Sequence, residues 1–257
     1  MNFILTLVKI TTVFVLILAY LLTSFVVGLL VWDTWKLREV RTHLISFYSR
    51  LGLAVMNVEV SWSGETLTET NSQLIVCNHL SYIDILVLAG QWPTAFVTSR
   101  EVEKTPFLGQ MCRMGGCLFV ERRSREFLGQ EIQEITEALS RNINVTIFPE
   151  ATSTNGESVL RFRRPLYNAS LLSGRPTQAL CINYLSVNDE PVTKRNRDSL
   201  FWYGDMSFLP HLWRFCSLGR VSVQISGVGQ IQPEPQFDCG DLAERTHSWV
   251  KENYVPI

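Results

Sequence analysis

Two hydrophobic periods divide the chain. Residues 10–32 form an uncharged, almost wholly apolar run. Coiled as a helix it is about 34 Å long, enough for a hydrocarbon core of roughly 30 Å. A secretion signal has a charged start, a shorter apolar stretch and a small-residue cleavage site. Here only Lys9 precedes the run, and Trp32-Asp33-Thr34-Trp35 follows it. The pattern predicts a retained membrane segment, either a spanning helix or a hairpin bent near Thr23-Ser24 or Gly28 within one leaflet. Residues 35–53 then predict an amphipathic helix whose apolar stripe is Trp35, Leu37, Val40, Leu44, Phe47, Tyr48 and Leu51. That stripe suits either packing on the domain or lying at the membrane surface, where aromatic residues sit at headgroup level.

From residue 54 the pattern alternates. Short apolar runs predict strands at 54–62, 73–77, 95–98, 117–121, 144–148, 178–184 and 221–226. Helical periodicity predicts helices at 82–88, 124–141, 166–172, 208–216 and 242–254. The helix from 124 is clearest, with Phe127, Ile132, Ile135, Thr136 and Leu139 on one side and Glu131, Glu134 and Glu137 largely on the other. Residues 187–199 are polar and predict an exposed loop. Strands alternating with helices define an α/β fold with a mostly parallel or mixed central sheet flanked by helices. The expected organisation is a membrane segment and interfacial helix over 1–53, then an α/β domain over 54–257.

Composition supports the membrane reading: the chain is 46% hydrophobic and only 18% charged, against roughly 25% charged in ordinary soluble domains. A net charge of −1 supplies no bulk attraction to nucleic acid. Lys36, Arg38, Arg41 and Arg50 follow the apolar run. If it spans once, the positive-inside rule places the rest of the chain on the cytoplasmic face. The six cysteines have neither metal-type spacing nor a disulfide framework, and no metal site is expected.

The candidate chemistry lies just after strands, where α/β sheets place their sites. Asn78-His79-Leu80-Ser81-Tyr82-Ile83-Asp84 follows the strand at 73–77. His79 is a candidate general base and Asp84 a candidate orienter of its ring. On one regular helix positions i and i+5 lie about 140° apart, so the pair meets only if His79 stands on the turn before the helix. Ser81-x-x-Asp84 also fits a capping box, which accounts for Asp84 without catalysis. Gly115-Gly116 is a turn feeding a strand that ends near Arg122 and Arg123, which suit a phosphate or a surface ion pair. Phe148-Pro149-Glu150-Ala151-Thr152 offers a carboxylate and a hydroxyl, or a helix cap. Arg161, Arg163 and Arg164 follow and suit anionic headgroups or a solvated loop. Neither a Gly-x-Ser-x-Gly elbow nor a nucleotide phosphate loop is present, and His211 reads as a packed histidine.

Taken in order, these segments resemble the glycerolipid acyltransferase family typified by 1-acylglycerol-3-phosphate acyltransferase. Asn78-His79-x-Ser81-x-x-Asp84 matches its His-x4-Asp motif. Residues 115–122 resemble its second motif, Phe148-Pro149-Glu150-Ala151-Thr152 its third, and Ala179-Leu180-Cys181-Ile182-Asn183-Tyr184 stands in place of the fourth. Ala151 stands where the family usually has glycine. The resemblance implies that His79 deprotonates an acceptor hydroxyl and that Asp84 orients and stabilises its ring. It implies substrate contacts from Asn78, Ser81, Gly116, Arg122, Glu150 and Thr152. It implies acyl-CoA or acyl-carrier-protein as co-substrate, no cofactor, and a lysophospholipid acceptor drawn from the bilayer. The expected reaction is acylation of 1-acylglycerol-3-phosphate to phosphatidate. A lyso-ornithine or other lysolipid is the alternative acceptor. Other readings are a non-catalytic lipid-binding protein and an acyl-thioester hydrolase.

Overall fold

The computed structural model describes residues 3–64, 72–121 and 126–257. Two long helices come first, α1 (Phe3–Leu30) and α2 (Thr34–Met56), with Asp33 capping α2 through Lys36 N at 2.6 Å. The expected strand at 54–62 begins later. Residues 54–56 continue α2, Asn57 ends it in the left-handed region (φ 57°), and β1 is Val58–Gly64. The domain continues through β2 (Leu74–Cys77), α3 (Ile83–Gln91), β3 (Ala95–Ser99), α4 (Arg100–Lys104), α5 (Leu108–Met114) and β4 (Leu118–Val120). Then come α6 (Leu128–Ser140), β5 (Val145–Ile147), a 3-10 turn Pro165–Tyr167, α7 (Asn168–Ser173) and β6 (Thr177–Val187). The chain closes with β7 (Glu190–Pro191), α8 (Phe208–Cys216), β8 (Val221–Ile231) and α9 (Cys239–Asn253). The short helices α4 and α5 were not signalled by periodicity. Each is barely a turn or two, too short to establish a 3.6-residue repeat.

The sheet runs β1-β8-β6-β2-β5-β3-β4, with β7 as a short antiparallel addition to β6. Pairing is parallel throughout except where β8 meets β6, so the sheet is mixed. Strand β2 lies between β5 and β6, and all four of its residues are buried. That is the pattern of a strand covered on both faces. The crossover from β2 to β3 moves one way along the sheet, while those from β4 to β5 and β5 to β6 move the other way. Right-handed crossovers then put α3 on one face and α6 and α7 on the other. Contacts agree: α3 packs on α2, and α2 and α8 pack on α1, whereas α6, α7 and α9 gather around the 3-10 turn.

Helix α1 is inside out relative to a soluble helix, whereas the exposed side of α2 is mixed, with Lys36, His43 and Arg50 beside Phe47 and Leu51. Facing inward on α1 are Thr6, Lys9, Val13, Tyr20 and Ser24, while Ile4, Val15, Leu18, Leu22, Phe25 and Leu29 are exposed. On α2 the buried side is Thr42, Ser46, Ser49, Gly52, Leu53 and Met56. The apolar stripe read from the sequence divides between the two surroundings it suits: Trp35, Leu37, Val40, Leu44 and Tyr48 are half-buried, while Phe47 and Leu51 face outward. Small and hydroxyl side chains let neighbouring backbones approach closely, which decides the rotation. Polar bonds then fix α1 along its length. Lys9 Nζ donates to Met56 O (3.2 Å) and Leu218 O (2.9 Å), Tyr20 OH to Met111 O (3.0 Å) and Ser24 Oγ to Met114 O (2.8 Å).

Lys9→Met leaves two partly buried carbonyls without this donor, a loss of about 1–3 kcal/mol. It is expected to loosen α1. Limited proteolysis at the 31–33 junction checks this, and cleavage should be faster than in wild type.

Candidate active site

The site is built on the turn after β2. Asn78 holds that turn to the sheet: its Nδ2 donates to Ile182 O (3.0 Å) and its Oδ1 accepts from Ile182 N (2.8 Å), a two-point clasp onto β6. His79 comes next, four positions before α3 begins at Ile83. Its side chain is 18% exposed, while that of Asp84 is wholly buried. His79 Nδ1 and Asp84 Oδ2 are 2.9 Å apart. The two therefore meet in the way the sequence demands, with His79 on the turn and Asp84 in the first turn of α3. Phe148 stacks on the imidazole at 4.0 Å between centroids and 15° between planes, fixing the second ring torsion. With Nδ1 on Asp84, Nε2 is the nitrogen left for a substrate proton.

Asp84 gathers donors from every side. Oδ2 accepts from Leu80 N (2.6 Å) and Ser81 N (2.9 Å) as well as facing the ring, and Oδ1 accepts from Tyr184 OH (2.8 Å). Burial, reinforced by the negative field of Asp84, pushes the Tyr184 hydroxyl well above the usual tyrosine range, so it stays a donor. The expected capping box forms only in part. Ser81 Oγ accepts from Ile83 N at 3.4 Å, while the acid reaches back to the amides before the helix.

Glu150 clamps the opposite wall. Oε1 accepts from His79 N (2.8 Å) and Oε2 from Leu160 N (2.7 Å). Burial raises its carboxyl from 4.5 to about 7, against the pull of those two amides. Thr154 N donates to His79 O (2.9 Å), and Trp202 N to Leu80 O (3.0 Å). Ser153 Oγ donates to Trp202 O (2.5 Å). Segments from β5, β6 and the chain before α8 thus converge on three consecutive residues, 79–81. Their amides are all engaged by Asp84 and Glu150 and are not free to meet a ligand.

Several expected substrate contacts are corrected. Asn78, Ser81 and Glu150 are buried (1%, 0% and 4% exposed), and their polar side-chain atoms bond to backbone. They hold the turn rather than a ligand. Gly116 has φ 76°, and a Cβ there would come within 3.1 Å of Arg38 O on α2. Its lack of a side chain serves helix packing, not ligand approach. Thr152 is exposed at the rim. Arg122 lies outside the described residues, as does Arg123. His211 is fully buried, with Nδ1 3.0 Å from Tyr82 OH, and burial lowers it to about 4. The expectation that Glu131 faces away from the core also fails: it is 3% exposed and accepts from Glu121 N at 2.6 Å. Sequence reasoning missed Tyr184 and Phe148 as partners of the pair. The only signal was an aromatic residue at the end of each adjacent strand.

Sequence comparison agrees with this geometry. A family model described as Acyltransferase matches residues 59–183, the span holding β1 to β6 and the His79–Asp84 pair. The chain is 32% identical over 200 residues to the lyso-ornithine lipid O-acyltransferase of Pseudomonas aeruginosa, covering 77% of this chain and 73% of that one. It is 27% identical over 190 residues to the 1-acyl-sn-glycerol-3-phosphate acyltransferase of Neisseria meningitidis, covering 74% and 72%. The fold is that of the crystal structure of the 1-acyl-sn-glycerophosphate acyltransferase from Thermotoga maritima, with TM-score 0.69, 20% identity and coverage of 98% and 94%. A mixed α/β sheet ending in a His–Asp pair defines the class, and the chain belongs to the acyltransferase family. The protein is an enzyme, an acyltransferase.

Two outcomes follow for the third-motif turn. Because the carboxyl of Glu150 titrates higher folded than unfolded, its protonation favours the fold below 4.5. That contribution is lost as pH rises through about 7. Glu150→Gln should flatten the pH dependence of stability over this window in thermal melts. It should also destabilise by about 1–3 kcal/mol at acidic pH, because the amide nitrogen faces a backbone donor. Ala151 sits at φ 59°, where a Cβ costs about 1–2 kcal/mol. Ala151→Gly, after the entropy glycine adds to the unfolded chain, should raise stability by about 0.5–1 kcal/mol in denaturant titration.

Proposed function

We propose that the protein is a membrane-associated lysolipid O-acyltransferase in which His79 is the general base. The observation that carries this is the His79–Asp84 contact, with Nδ1 committed to the buried acid and Nε2 free. The acceptor hydroxyl gives its proton to Nε2 as its oxygen attacks the thioester carbonyl. A C–O bond forms, the C–S bond breaks, and the proton passes from the imidazolium to the leaving thiolate. Asp84 stabilises the charged ring in between. The activated acyl group arrives as acyl-CoA or acyl-carrier-protein, and the reaction needs no cofactor or metal.

The acceptor we favour is 1-acylglycerol-3-phosphate, giving phosphatidate. This reading is supported by relatives of that name, such as the Neisseria enzyme. A lyso-ornithine lipid is the second reading, favoured by the 32% identity to the Pseudomonas enzyme. The expected organisation into a membrane unit and an α/β catalytic domain is kept, with the division moved to Asn57 by the end of α2.

Membrane residence rests on α1, which is long and apolar enough to cross a bilayer, and on the outward-facing side chains of α1 and α2. Since α1 is bonded to the domain at Lys9, Tyr20 and Ser24, we place the pair in the leaflet beneath the domain, on the cytoplasmic side. Lipid acceptor and lipid product then enter and leave through the α1–α2 side.

Acyl transfer by the purified protein tests this, with each donor and a panel of lysolipids. Wild type should acylate at least one lysolipid, and His79→Ala should lower kcat on the order of 10²–10⁴-fold. Free fatty acid as the sole product would identify a thioester hydrolase. Folded wild type with no turnover would identify a lipid-binding protein.

A further inference from the structure

A cavity of about 390 Å³ lies away from the His79–Asp84 pair, between the stretch 161–164 and α9. Arg161, Phe162, Arg164, Ala243, Glu244 and His247 line it. The volume falls within the range of small-ligand sites, roughly 300–1,000 Å³. Phe162 anchors the stretch: it is 2% exposed, and its ring meets His247 at 5.1 Å and 63°. Arg161, Arg163 and Arg164, by contrast, are exposed. Among the described residues no ion pair or hydrogen bond holds their guanidinium groups. His247 Nε2 is likewise buried without a hydrogen-bond partner. Most other arginines with a stated environment are satisfied, such as Arg38 on Glu134 or Arg220 on Glu59. Two unpaired guanidinium groups, Arg161 and Arg164, on the cavity wall, with Arg163 nearby in the chain, form a set of donors suited to phosphate.

The location selects the ligand. Glu150 joins His79 N to Leu160 N through one carboxylate, and Arg161 follows Leu160 by one residue, roughly 3.8 Å of chain. The start of the arginine stretch is therefore tied to the His79 turn through Glu150. It belongs to the layer of α7 and α9, on the sheet face opposite α1 and α2. Bilayer headgroups face α1 and α2, so a phosphate here comes from the aqueous side.

We propose that this cavity receives the 3′-phosphorylated ADP end of an acyl-coenzyme A. Arg161 and Arg164 hold its phosphates, with Arg163 adding attraction at the rim. The His247 ring forms part of the wall beside the nucleotide, and Glu244 accepts from the ribose hydroxyl. The thioester then enters the site from one side of the sheet and the lysolipid from the other. The proposal rests on the acyl-thioester donor of the preceding section and names its binding surface.

Full-length protein in detergent tests this through two readouts. Calorimetry with adenosine 3′,5′-bisphosphate should show binding to wild type and none to the Arg161→Gln/Arg164→Gln double variant. The kcat/KM ratio of acyl-CoA to acyl-pantetheine, which lacks the nucleotide, should fall at least about tenfold in that variant, as expected for losing one charge-assisted hydrogen bond. Arg161→Lys/Arg164→Lys should recover part of the ratio. No binding by wild type, equal loss with both donors, or a raised KM for the lysolipid alone would overturn the proposal. So would turnover with acyl-carrier-protein but not acyl-CoA. If no thioester supports transfer, the acyltransferase mechanism fails, and calorimetry still decides the nucleotide site independently.

Discussion

One buried carboxylate organises this protein. Asp84 is fully desolvated, a state that costs several kcal/mol for a charge unless donors surround it. They do: two backbone amides, the Tyr184 hydroxyl and the His79 ring. Each donor comes with a structural requirement. The amides fix the turn before α3, the hydroxyl requires β6 beside β2, and the ring completes the reacting pair. Stability and, in the proposed reaction, catalysis therefore draw on the same set of hydrogen bonds, and the geometry of His79 cannot relax without unsealing the acid.

Glu150 performs the corresponding task with less complete satisfaction. It bridges His79 N and Leu160 N, yet burial outweighs the two amides and raises its carboxyl to about 7. The third-motif turn is accordingly a tuned support. It keeps the histidine's backbone in place and carries the chain onward to the arginine stretch against α9.

The N-terminal helix α1 follows a different rule from the domain. In the domain, apolar side chains leave water by facing the sheet. In α1, hydroxyls and one lysine face inward beside Val13, and most of the apolar side chains face out. The stripe read from residues 35–53 is split, with Trp35, Leu37, Val40, Leu44 and Tyr48 half-buried and Phe47 and Leu51 exposed: periodicity locates an apolar face but not what covers it.

Much was legible in the chain. The alternation after residue 54 gave the α/β class and nearly every strand, because buried parallel strands must be continuous apolar runs. The His-x4-Asp spacing gave the reacting pair, because a histidine on a turn and an acid in the next helical turn are local in sequence. Resemblance to a family supplied the reaction. The roles of Asn78, Ser81, Gly116 and Glu150 were not legible, since a polar residue beside a catalytic one looks the same whether it touches substrate or backbone. Tyr184, Phe148 and Trp202 were missed because each arrives from a distant strand or loop. The sequence by itself determined the fold class, the apolar helix and the His79–Asp84 pair, all consequences of short-range periodicity. Only the tertiary structure decided which side chains satisfy Asp84, which way α1 and α2 face, and that the arginine stretch meets α9, because those depend on burial and on contacts between residues far apart in the chain.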